Sequence, residues 1–170
     1  MIKNILRSSI FLSVCLMFAA CGGGGSSTPT NTTATLKVNL SGDLGTQTIA
    51  GTGFTVTLPA DVTPAQVNGA VATTVVTSSG TFTGNTIAPV VTYTVAAGTT
   101  KGTLQIVLAS SEAAGVNTVG EVATITLQLA NGAAPVAADF NPLTAVNATD
   151  TLGAPIAGIT SATVSAVTLQ

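Results

Sequence analysis

The sequence predicts an all-β protein, an antiparallel β-sandwich of the jelly-roll kind, and three observations carry that prediction. Apolar residues recur at every second position in run after run. The runs are short and lie roughly ten residues apart, with turn-forming residues between them. Threonine is so frequent that a long amphipathic helix is disfavoured, because its β-branched side chain is stiff against the preceding helical turn.

The first residues have a different character. Met1 to Ala20 carry the three regions of an export signal: Lys3 and Arg7, then the largely apolar Ser8–Phe18, then the small Ala19-Ala20. The apolar run is too short to cross a bilayer as a helix, which needs about 20 residues. Phe18-Ala19-Ala20-Cys21, an apolar residue and two small ones before a cysteine, resembles the lipobox of bacterial lipoproteins. That resemblance implies a cleaved signal peptide over 1–20 and lipid attachment at Cys21. It also implies a place in the outer membrane, since Gly22 follows the cysteine and no Asp does. Two or more acyl chains on one residue anchor stably, whereas one chain binds reversibly. Gly22 to Thr33 (GGGGSSTPTNTT) then forms, with Cys21, a flexible linker over 21–33 whose reach is on the order of 20 Å.

A single sandwich domain is expected over 34–170. Leu36, Val38 and Leu40 alternate with Lys37 and Asn39; Phe54, Val56 and Leu58 alternate with Thr55 and Thr57, and Pro59 ends the run. Val91, Tyr93 and Val95 follow, then Leu104, Ile106 and Leu108, then Ala123, Ile125, Leu127 and Leu129, and last Ser161–Leu169. One apolar and one polar face is what a half-buried antiparallel strand requires. Turn signals fall between the runs at Ser41-Gly42-Asp43, Ser79-Gly80, Thr83-Gly84-Asn85, Ala97-Gly98, Asn131-Gly132 and Leu152-Gly153. Single helical turns are expected at Thr63-Pro64-Ala65-Gln66-Val67, with Thr63 as cap, and within Ala133–Phe140. No fixed repeat length is present, which disfavours a solenoid.

Composition excludes several function classes. Beyond the leader the chain holds Lys37 and Lys101 against six acidic residues, so its formal charge is −4, and it has no arginine. Nucleic-acid binding needs clustered cations to displace counterions from phosphate, so that class is dropped. With no histidine, and with Cys21 the only cysteine after Cys15 leaves with the leader, no disulfide forms within the domain. Zinc, copper, haem and Cys–His or Ser–His chemistry lack their ligands or bases. A domain of this length can bury a sufficient core unaided.

The remaining chemistry lies with oxygen and aromatic groups. Six carboxylates could in principle supply a glycosidase pair, yet Asp43, Asp61 and Asp150 read as turn residues bonding their own backbone. Asp139, Asn141, Asn147 and Asp150 fall in one segment and are the candidate ligands for a structural Ca²⁺, although no Asp-x-Asp-x-Asp-Gly loop is present. No other cofactor is expected. Sugar rings stack on exposed aromatic faces; Phe54 and Tyr93 share a face with strand aliphatics, which leaves Phe82, between Thr81 and Thr83, as the candidate for an exposed ligand-binding ring.

The order of segments resembles the cohesin-like, carbohydrate-binding-module-like β-sandwich. The stretches concerned are GFTVTLPADV (Gly53 to Val62), VVTYTVAAGTTKGTLQIVLAS (Val90 to Ser110), GEVATITLQL (Gly120 to Leu129) and AADFNPLTAVNATDTLGAPIAGIT (Ala137 to Thr160), the last resembling the family's closing hairpin. The resemblance implies a non-catalytic binding scaffold and carries over no site residue. The function expected is therefore a membrane-anchored lipoprotein acting as a protein-interaction module. The alternatives are a self-associating structural envelope component and a polysaccharide-binding module.

Overall fold

The alternating runs become strands whose apolar faces meet between two antiparallel sheets, as the computed structural model of residues 30–84 and 87–170 describes. The expected leader, Cys21 and nearly all of the linker lie outside the described residues. In the first sheet, β1 (Thr33–Gly42) buries Ala34, Leu36, Val38 and Leu40 and lies between β11 (Ile159–Leu169) and β9 (Gly120–Leu129). The short β3 (Val62–Pro64) and β6 (Val76–Ser78) share the far side of β9, end to end. In the second sheet the order is β10 (Thr144–Thr149), β2 (Gly51–Thr57), β8 (Thr103–Ala109) and β7 (Val90–Thr94). A two-stranded hairpin, β4 (Gln66–Val67) and β5 (Ala70–Val71), belongs to neither.

Burial follows the period of two. Phe54 and Val56 of β2 and Leu104, Ile106 and Leu108 of β8 face Leu36, Val38, Ile125 and Leu127 across one continuous core. Thr52 is the buried polar residue of that core, and its hydroxyl donates to Asn147 O at 2.8 Å, so it enters at no cost of an unmade bond. The main chain closes on itself at one end: Thr32 N and Thr33 N both donate to Gln170 O, at 2.6 and 3.0 Å. At the opposite end the β1–β2 turn touches the β10–β11 connection backbone to backbone. Asp43 N donates to Gly158 O at 3.0 Å, and a Cβ at either Gly42 or Gly158 would run into the main chain of the other segment.

Two local expectations are corrected. Thr63-Pro64 opens no helical turn; Val62 is buried and pairs with Leu129, so this segment is pulled out as a sheet edge, the one place in a sheet where a proline without an N–H fits. The segment taken as a closing hairpin is not one. β10 pairs with β2 and β11 pairs with β1, so the connection crosses from one sheet to the other, because Ala148 and Ile159 must both reach the core from opposite layers. The helical turn expected within Ala133–Phe140 is present as α1 (Ala137–Phe140), which seats Phe140 in the core.

Candidate functional site

Phe82, expected as an exposed ring, is 1% exposed and is a core residue. The reason lies two residues earlier. Gly80, at φ 56, presses its backbone so closely on Glu121 that a Cβ there would strike the Glu121 main chain. The 3-10 turn Gly80–Phe82 is thereby laid against the start of β9 with its aromatic ring turned inward. Phe54 and Phe140 are buried as well, so no phenylalanine of the described residues offers a stacking platform.

The four candidate calcium ligands are not brought to one point. Asp139 accepts from Val136 N at 2.8 Å, capping its own helix. The Asn141 amide donates to Ala137 O and to Val164 O and accepts from Val164 N. Asn147 lies over Gly53, with Nδ2 donating to Ala145 O. Asp150 follows the end of β10, three residues and roughly 10 Å past Asn147, and its Oδ1 accepts from Leu152 N and Ala154 N. Each does the turn and capping work that Asx side chains do well. Among the described residues no three or more His, Cys, Asp or Glu side chains gather as a metal site.

Most of the charged groups are likewise engaged by neighbours. Lys37 Nζ donates to Glu121 Oε1 at 2.7 Å, and this bond, helped by Ser79, holds the Glu121 carboxyl below its usual range. Asp43 Oδ1 accepts from Gly45 N, the turn bond expected of it, whereas Asp61 accepts instead from Asn131 Nδ2. The Asp150 carboxyl is also held low, by the Ala154 N–H first and then by Leu152 N–H and the Gln47 amide. A carboxyl lowered on folding stabilises above its unfolded pKa and loses that contribution as the pH falls through its folded pKa. Asp150→Asn should therefore be less stable than the parent at pH 7, and the difference should shrink as the pH drops below about 4. Urea titrations at pH 7 and pH 3 check this; a difference that grows in acid would contradict the capping role.

What remains is one lateral side of the sandwich. On the far side β10 and β11 lie against each other, but here β7 stands at the end of its sheet, with the β4–β5 hairpin beside it and within 8 Å between Cα atoms. Tyr93 is half-buried and is shared by two grooves. One, about 240 Å³, runs past Pro59, Val62, Ala96 and Lys101. The other, about 270 Å³, runs past Gln66, Val71, Val91 and Val95. The Tyr93 ring rests over Gly102, where a Cβ would come within 3.3 Å of it. Together the grooves make a trough along β7 whose wall is largely apolar in the first groove and about half polar in the second.

Exposed valines lie on and beside β7. Val90 and Val107 are cross-strand partners on the outer face and are 65% and 46% exposed. Val95 lies just past the strand and Ile87 just before it, while Val67 stands out from the hairpin, all three exposed. The alternation of the sequence assigned Val95 to the core and passed over Val90 and Val107. A signal was present: Val90-Val91 and Ile106-Val107-Leu108 place apolar residues on both parities of a strand, so one of each set must face out. Comparison of the chain with protein-family models, with curated proteins and with solved structures finds no match in any of the three.

Proposed function

We propose that this chain is a non-catalytic interaction module, held on the outer membrane by lipid at Cys21, which takes a protein partner on the side of the sandwich at β7. The observation that supports this most directly is the clustering of exposed apolar side chains. Of the eight large apolar residues exposed among the described residues, Val90 and Val107 pair on the outer face of β7 and β8, and Val95 lines a groove just past β7. A contiguous apolar patch rimmed by polar residues marks an interaction surface far more often than scattered single residues do. β7 and β8 carry no charged side chain, so what binds along them is recognised by shape, apolar contact and main-chain groups, with Asp61 and Lys101 the charges that line the first groove.

The test uses the full chain as bait in an envelope extract. Val90→Lys with Val95→Lys should lower partner capture at least tenfold, while Val136→Lys and Leu152→Lys, exposed elsewhere, should leave it unchanged. Equal capture by the parent and all three variants would refute the β7 surface. In the same cells Cys21→Ser should move the protein out of the membrane fraction with its fold intact; retention there would mean that lipid at Cys21 is not the anchor.

A further inference from the structure

The first groove lies at the end of the sandwich where the chain enters. Leu129 N donates to Thr32 O at 2.8 Å, and Leu129 pairs with Val62 across the other side of β9. Thr32 and Val62 thus stand two strand spacings apart, roughly 10 Å, at one level of the first sheet. Pro59-Ala60-Asp61 joins that level to the end of β2, where Leu58 N donates to Gly102 O at the start of β8. Both sheets therefore finish at this near end, and the residues that line the groove, Pro59, Asp61, Val62, Tyr93 and Lys101 among them, come from its connections.

Charge divides along the same axis. Asp43 after β1, Glu112 after β8 and Asp150 after β10 stand at the far end. The near end holds Lys101, the one cation of the described residues outside an ion pair, since Lys37 bonds Glu121. Lys101 and Asp61 line the groove from opposite walls, the β7–β8 and β2–β3 connections, and form no ion pair with each other. Asp61 Oδ1 accepts from Asn131 Nδ2 at 2.7 Å, which steadies the carboxylate and leaves Oδ2 to a ligand. The Tyr93 hydroxyl lies beside Gly102, the residue after Lys101, and carries no hydrogen bond among the described residues.

We infer that this groove seats the headgroup of a zwitterionic phospholipid from the bilayer that holds the chain. The phosphate diester meets Lys101 and the Tyr93 hydroxyl, and the ammonium meets Asp61. This rests on lipid attachment at Cys21, and it leaves Val90 and Val107 on the outer face to a protein partner. Residues 21–29 are rich in Gly and Ser and have a reach of about 16 Å, which keeps the near end beside the headgroups. A negatively charged leaflet turns the acidic far end outward. A groove that holds both signs apart fits a headgroup that carries both, whereas a free phosphate would meet the Asp61 carboxylate uncompensated. The volume of about 240 Å³ is below the roughly 300–1,000 Å³ of drug-sized sites and leaves the acyl chains outside. Each contact is weak alone, and tethering supplies the effective concentration that makes them count.

A carbodiimide tests the contact, because it joins a carboxylate to an amine beside it through an amide bond. The full chain, purified from membranes, is reconstituted in vesicles of phosphatidylethanolamine and phosphatidylglycerol, treated, digested and mapped by mass spectrometry. Asp61 should carry at least ten times as much phosphatidylethanolamine as Asp43 or Glu112, which are exposed at the far end. In Lys101→Gln the adduct at Asp61 should fall at least fivefold, while Asp43 and Glu112 stay as they were. Equal labelling of Asp61 in parent and variant would mean that nearness to the bilayer alone is being read, and overturns the inference. Equal labelling of Asp61, Asp43 and Glu112 overturns it as well. The same digest reads Cys21: without acyl chains there, the anchor is refuted and the inference with it. Acylated Cys21 without an excess at Asp61 refutes the inference alone.

Discussion

Phe82→Ala is expected to lower the stability of the domain by about 3–5 kcal/mol, the usual cost of truncating a fully buried phenylalanine. The ring is 1% exposed, in one cluster with Val75, Val76, Val122 and Ala123 among others, so its removal leaves a hole that the main chain cannot readily close. Collapse is resisted because the turn that carries the ring is fixed on both sides. Phe82 N donates to Ser79 O, and the Thr81 hydroxyl donates to Glu121 O at 3.1 Å. For a domain whose whole stability is about 5–15 kcal/mol this is a large share. Urea denaturation of parent and variant measures it; a loss below about 1 kcal/mol would mean that the ring is at the surface after all, and would reopen it as a contact for sugars.

The second large effect belongs to a contact made by main chain alone. Gly158→Ala should cost about 3 kcal/mol, the upper end of what overpacking exacts, because the added methyl meets the Asp43 main-chain oxygen and no side chain can rotate away from it. Gly42→Ala meets the other face of the same contact, against Gly158 O and Ile159 Cα, at a φ of 143 that only glycine holds comfortably. Once one methyl has pushed the two segments apart, the second has less left to disrupt. The double variant should therefore lose clearly less than the two single losses together. Chemical denaturation of the parent, both single variants and the double variant closes the cycle. Additive losses would show that the two glycines act separately.

Strands and core were legible because burial has the period of the strand: Ala34 to Leu40 and Ala123 to Leu127 read directly as one buried face. Gly-Glu at 120–121 marks the first residues of β9, and the Val90–Ser110 stretch forms the β7–β8 hairpin. Sheet membership was not legible. Nothing local in Asn147 to Thr160 says that the chain changes layer there, since the pairing is decided by β1 and β2, about a hundred residues earlier. Phe82 was misread because its burial is dictated by Gly80 against Glu121, a contact across 41 positions. The candidate site was the least visible part. Its valines are ordinary strand residues, and only their place at or beside the end of a sheet distinguishes them. Asn141 gives the converse lesson, a polar residue read as a metal ligand whose amide instead closes the edge of β11.

The junction of Thr32 and Thr33 with Gln170 decides how this domain bears a load. Any tension arriving along the chain from before Thr30 enters at β1, and β1 is not a strand that can be peeled. It is paired along most of its length with β9 on one side and β11 on the other. Pulling lengthwise on such a central strand loads both ladders in shear, so many hydrogen bonds must fail together, whereas an edge strand unzips one pair at a time. A domain anchored as proposed is therefore gripped at a strand paired on both sides, whereas β7, β10 and β11 each hang from a single ladder.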